Sequence, residues 1–172
     1  DEVRKVLEEI KELLKRLAEK VKKLIKESRE ISKRAAEKVK RLIEKSRRLL
    51  DTLEKANLDK DELRKALEDS KRETEEVVEE LKRLNEDSKR KTEELERELR
   101  EALKELERKI REINGDKDTL KTVLDTIKKK IEELVKELRE VDEESKKRSK
   151  ELKEEMDKVD EDIKRAIERR TR

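Results

Sequence analysis

The chain has 172 residues, 60% of them charged, with no Pro, Cys, His, Trp, Tyr or Phe and a single Gly. Its 53 basic and 50 acidic side chains leave only +3, so self-repulsion does not impose disorder despite the charge content. Ala, Glu, Lys, Leu and Arg at helical period is the composition of long helices, and these residues have high helix propensity. Without Cys there are no disulfides or thiolate metal sites. Without His the usual nucleophile–base pairs and imidazole sites are excluded as well. No apolar run suggests secretion or membrane spanning.

The first predicted helix covers about 1–56, with Asp1 available as a cap. It contains its own echo: AEKVKKLIKES from Ala18 returns as AEKVKRLIEKS from Ala36, one step of 18 residues later. Eighteen residues are five turns of 3.6, so this repeat asks for almost no supercoil, whereas a strict heptad imposes a left-handed one. Its apolar seam runs Val3, Leu7, Ile10, Leu14, Leu17, Val21, Leu24, then Ile31, Ala35, Val39, Leu42, Leu49 and Leu53. Val6, Leu13, Ile25, Ile43 and Leu50 widen it, enough to face two neighbouring helices.

The first break is Asn57-Leu58-Asp59. Asn57 tolerates the left-handed conformation that ends helices. Asp59 is a good N-cap, Glu62 stands at the capping-box position, and Leu58 with Leu63 can form a hydrophobic staple. The second predicted helix covers about 59–113 and carries the same repeat: DSKRETEE from Asp69 returns as DSKRKTEE from Asp87.

The second break is Asn114-Gly115-Asp116. Gly115 is expected at positive φ as a helix C-cap, so that Gly115→Val costs on the order of 1 kcal/mol. Asp116 can cap the third helix, about 116–171. The turns are too short for the chain to travel back along such helices, so consecutive helices are antiparallel. The expected fold is all-α: a single domain, 1–172, forming an elongated up-down-up three-helix bundle. Its helices are straight and roughly 80 Å long at 1.5 Å per residue. Residues 1–56 carry 19 basic and 12 acidic side chains, net +7, and residues 59–113 carry 16 and 20, net −4. That asymmetry favours pairing of the first helix with the second.

Positions 18 apart face the same way, which exposes polar residues in apolar phase. Ser28 is in phase with Ile10, Ser32 with Leu14 and Leu50, and Asn85 with Leu67 and Leu103. Ser88 is in phase with Leu106 and Thr92 with Ile110. Ser145 is in phase with Ile127 and Ile163, and Ser149 with Ile131 and Ile167. Antiparallel folding gathers Ser28, Ser32, Asn85, Ser88, Thr92, Ser145 and Ser149 into one middle group. Ser46, Ser70 and Thr74 form a second layer toward the first turn. Three readings of these residues stand side by side. They are idle polar groups at the seam edge, or a buried hydrogen-bond layer that penalises wrong pairings, or a hydrated waist where a site can be built.

The AEKVKKLIKES-type seams, 18-residue repeats, single NGD turn and lack of aromatics resemble de novo designed, parametrically generated, untwisted three-helix bundles. The resemblance covers the whole chain. It implies a monomeric, stable synthetic scaffold with no native ligand, cofactor or metal, no enzymatic activity and no required partner. The polar middle departs from an all-apolar designed core. Spectrin-like rods are a poorer match, since they carry buried aromatics in a heptad frame. The alternative is a designed subunit that self-associates, or binds a partner helix, through a residual apolar stripe. Lys22, Lys23, Lys40, Arg41, Arg47 and Arg48 form a modest basic face. They lack the stacking residues of a nucleic-acid surface and the aromatic anchors of a membrane-surface helix.

Overall fold

The computed structural model describes residues 2–170. Three α-helices account for nearly all of them: α1 (Glu2–Lys55), α2 (Lys60–Arg111) and α3 (Lys117–Arg170). The capping expected of Asp1 lies outside the described residues. Each expected helix shortens slightly at its turn ends.

The 18-residue period governs which side chains are buried. On α1 the buried residues are Ile10, Leu17, Val21, Ser28, Ala35, Val39, Ser46 and Leu53. They occupy three slots: Ile10–Ser28–Ser46, Leu17–Ala35–Leu53 and Val21–Val39, each stepping by 18. On α2 the slots Leu63–Leu81–Leu99 and Thr74–Thr92–Ile110 behave alike. A stripe that returns to the same azimuth after five turns can stay against its neighbours over many turns.

Contacts within the chain group it into two compact units, each built from a segment of every helix. The first comprises, among the described residues, 2–29 and 87–144. Its core is Ile10, Leu17, Val21, Leu95, Leu99, Leu106, Ile110, Ile127, Ile131, Leu134, Val135 and Leu138. As numbering rises on α1 it falls on α2: Lys20 pairs with Glu98 at 2.6 Å and Ser28 with Ser88. The same reversal holds between α2 and α3, where Glu96 meets Arg139 and Glu107 meets Lys128.

The second unit comprises 30–86 and 145–172, of which 30–86 and 145–170 are described. One apolar cluster joins Leu53, Leu63, Val159, Ile163 and Ile167. Another joins Ala35, Val39, Leu81 and Met156. Lys38 pairs with Glu80 and Lys45 with Glu73, both at 2.7 Å, so α1 and α2 are antiparallel here also. Each lysine belongs to the net-basic helix and each glutamate to the net-acidic one. Exposed pairs of this kind contribute about 0–1 kcal/mol each, so burial holds the units and charge trims the pairing.

The turns are built differently from the sequence expectation in one respect. No described residue, Gly115 included, has positive φ. The left-handed C-cap expected at Gly115 is therefore absent, and so is the strain argument against Gly115→Val. The end of α2 instead tightens, with Ile113 N–H donating to the carbonyl of Ile110 at 3.2 Å, an i→i−3 bond that closes a helix without a left-handed residue. Asn57 is not left-handed either. At the end of α1, Ala56 N–H reaches Thr52 O at 2.8 Å, and the Arg170 guanidinium donates to the Ala56 carbonyl. A cation on the last carbonyls of a helix also suits its dipole.

The N-termini of α2 and α3 are capped by the side chains of Asp59 and Asp116. Glu62 N–H donates to Asp59 Oδ1 at 2.8 Å, and Leu63 N–H to Asp59 O at 3.0 Å. Leu58 packs against the cluster that contains Leu63, which sets the chain's entry angle. At α3, Leu120 N–H donates to Asp116 O at 3.0 Å, and Thr119 Oγ1 donates to Asp116 Oδ2 at 2.9 Å.

Candidate functional site

Polar side chains on the buried stripes are the features of this molecule that packing alone does not require. In the first unit, Ser28 and Ser88 bring their hydroxyls to 3.2 Å, linking α1 to α2. Thr92, 2% exposed, donates to Asp142 Oδ2 at 2.6 Å, linking α2 to α3. Its hydroxyl also lies 2.9 Å from the carbonyl of Lys89. The Asp142 carboxylate is half-buried.

In the second unit, Ser70 and Thr74 are buried and both face Asp160. Thr74 Oγ1 stands 3.1 Å from Asp160 Oδ1 and 3.0 Å from Ser70 O, and Ser70 Oγ approaches the same carboxylate oxygen at 3.4 Å. Burial pushes the Asp160 carboxyl above its usual value, and the Thr74 and Ser70 hydroxyls offset only part of that. Asp157 raises it further, while Lys71 lowers it. Ser46 is buried on α1 and lines a groove with Ser70. The hydroxyl contact between Ser28 and Ser88 has no counterpart there, because Ser70 turns to α3.

These two layers occupy the same four slots. Ser28, Ser88, Thr92 and Asp142 correspond to Ser46, Ser70, Thr74 and Asp160, one repeat apart on each helix. A third set in those slots is apolar: Ile10, Leu106 and Ile110 are buried, with Leu124 packed against them. Asp142 and Asp160 are members that the sequence reading did not single out. The signal was present, since both are in phase with Leu124.

A third polar group in the second unit has different chemistry. The half-buried Asn85 accepts on Oδ1 from Ser145 Oγ and Ser149 Oγ, each at 3.0 Å. Ser32 is half-buried and belongs to none of these bonds. The seven residues expected as one middle group thus divide. Ser28, Ser88 and Thr92 bond within the first unit, and Asn85, Ser145 and Ser149 within the second.

Among the described residues, no buried side-chain nitrogen or oxygen lacks a partner. Among the same residues, no group of three His, Cys, Asp or Glu is placed to hold a metal ion, and no helix is long and apolar enough to cross a membrane. Glu96 is the other perturbed carboxylate. Burial raises it, but the guanidinium groups of Arg100 at 3.0 Å and Arg139 at 2.6 Å outweigh that and hold it below its usual value. The second unit also carries a groove of about 390 Å³ between α1 and α2, over Ala35 and Leu81 and flanked by Lys38 and Glu80.

Three helices, packed antiparallel in each unit around apolar cores with hydrogen-bonded polar layers, define an all-α three-helix bundle. A solved structure described as a computationally designed three helix bundle is similar to this chain at 22% identity. The match covers 98% of this chain and 87% of that one, with a TM-score of 0.36. No protein-family model matches the chain, and no curated protein matches it.

Proposed function

We propose that this chain is a designed structural scaffold without catalytic activity or cofactor, and that its polar core groups serve the specificity of helix pairing. The observation that carries this reading is the pair of layers built in the same four slots. In each, a threonine hydroxyl on α2 meets a carboxylate on α3. The polar chemistry in the core is thereby used between helices. Buried polar groups that are satisfied in one arrangement and stranded in others penalise the others. Composition supports a designed origin, because 172 residues without Pro, Cys, His or any aromatic are far from natural domain usage.

A monomer is the state this reading favours. No large hydrophobic side chain among the described residues is exposed, so the apolar stripes are consumed within the chain. Sedimentation equilibrium, with thermal unfolding over a hundredfold range of concentration, is the test. The expected result is one monomeric mass and a constant Tm. A Tm that climbs with concentration would favour the alternative, a subunit that self-associates through its helices.

A further inference from the structure

We infer that Asn85, with Ser145 and Ser149, is the mark that sets the register of α2 against α3 wherever the short turn between them does not hold it, as in pairing between chains, and that the two repeated layers cannot set it alone. This rests on reading the polar groups as structural, and it divides their roles. In an 18-residue repeat, the competing arrangement is a slip of one helix past another by one repeat. Such a slip restores the azimuth of every side chain, so the apolar stripes tolerate it.

The repeated layers tolerate it in part. If α3 slips one way, Thr92 meets Asp160 in place of Asp142. If it slips the other way, Thr74 meets Asp142 in place of Asp160. Either slip therefore preserves one threonine–carboxylate pair of the two now made.

The Asn85 group has no second copy. Its slots hold Leu67 and Leu103 on α2, and Ile127, Ile131, Ile163 and Ile167 on α3. A slip in one direction sets Asn85 against Ile163 and Ile167, with Ser145 and Ser149 against Leu103. The other direction sets it against Ile127 and Ile131, with both serines against Leu67. The amide and two hydroxyls then lose their shared bonds at 3.0 Å and face hydrocarbon, which is costly for polar groups. Only the observed register lets all three bond one another. Within one chain a slip must also unwind the turn after α2, so slipped pairing is expected chiefly between chains.

The test labels the second unit, where the chain's lack of cysteine makes introduced thiols unique. Lys82→Cys and Lys153→Cys, both exposed, stand level across α2 and α3 and carry nitroxide labels. A one-repeat slip moves one label about 27 Å along the helix axis. The parent is expected to give one short distance. Asn85→Leu/Ser145→Ile/Ser149→Ile takes the residues of the in-phase repeats, and is expected to add a longer distance together with a higher-mass species in sedimentation. Asn85→Leu alone should do so to a smaller extent. Thr74→Val/Thr92→Val, which removes both threonine–carboxylate bonds, is expected to keep the single short distance while its Tm falls. A single short distance and parent mass for both Asn85 variants would overturn the inference, as would a longer distance in the threonine variant. The scaffold reading fails on a separate measurement, a concentration-dependent Tm of the unsubstituted chain.

Discussion

Asp160 is one of two carboxylates whose surroundings disturb their chemistry. Its carboxyl sits above the ordinary value of 3.8 because burial penalises the charge and two hydroxyls offset only part of that. A carboxyl raised on folding binds its proton more tightly in the native state, so stability falls as pH rises from about 4 through the native value. Asp160→Asn keeps an acceptor for Thr74 and Ser70 and removes the charge. Its Tm is expected above the parent's at pH 7 and equal to it near pH 3, as thermal unfolding at the two pH values will show; a parent-like Tm at pH 7 would mean that the carboxylate is well solvated. Glu96 slopes the other way. Held below 4.5 by Arg100 and Arg139, it adds stability above its unfolded value, and that contribution is lost as pH falls through the native one. Asn85→Asp has a counterpart within the chain, since Asp160 already receives two hydroxyls. The variant is expected to fold and to lose stability with rising pH, tracked by denaturation at pH 4 and pH 7.

At the scale of the helix, the turns and the repeat slots decide what a substitution does. Gly115 has no positive φ, and a Cβ there would meet Leu120 at 3.7 Å and Ile113 at 3.9 Å, ordinary contact distances. Gly115→Ala is therefore expected to stabilise by about 0.4–1 kcal/mol, through reduced freedom of the unfolded chain. Urea denaturation measures it, and a loss above about 1 kcal/mol would mean that the glycine's freedom is in use. Asp59→Ala removes the bond to Glu62 N–H and should cost about 1 kcal/mol. Ala35 occupies a slot that Leu17 and Leu53 fill one repeat away on either side. The groove of about 390 Å³ lies over it. Ala35→Leu is expected to fill part of that groove and raise stability by about 0.5–2 kcal/mol; destabilisation would show that Val77 and Leu84 cannot make room. On the α1–α2 face, Lys45 opposes Glu73, whereas the positions one repeat away are Glu27 and Lys91. A slip there would set Lys45 against Lys91, so charge order adds a modest register preference of its own.

For the molecule as a whole, the sequence by itself determined the three helices, the places of their turns and the antiparallel order. Each follows from local chemistry. The 3.6-residue period places the stripes, Asp59 and Asp116 start helices, and turns of a few residues allow no other return path. It also determined that Ser28, Thr92 and Asn85 stand in core phase, since phase is arithmetic along one helix. Tertiary structure alone decided which polar groups meet. Whether Thr92 bonds Asp142 or a neighbouring serine depends on how two helices rotate and slide against each other, and no single helix carries that information. The conformation of Gly115 was not legible either, for a local reason. A glycine after a helix is free to adopt either sign of φ, and the i→i−3 closure at Ile113 removed the need for the left-handed one. The grouping of contacts into two units was likewise invisible in a uniform repeat.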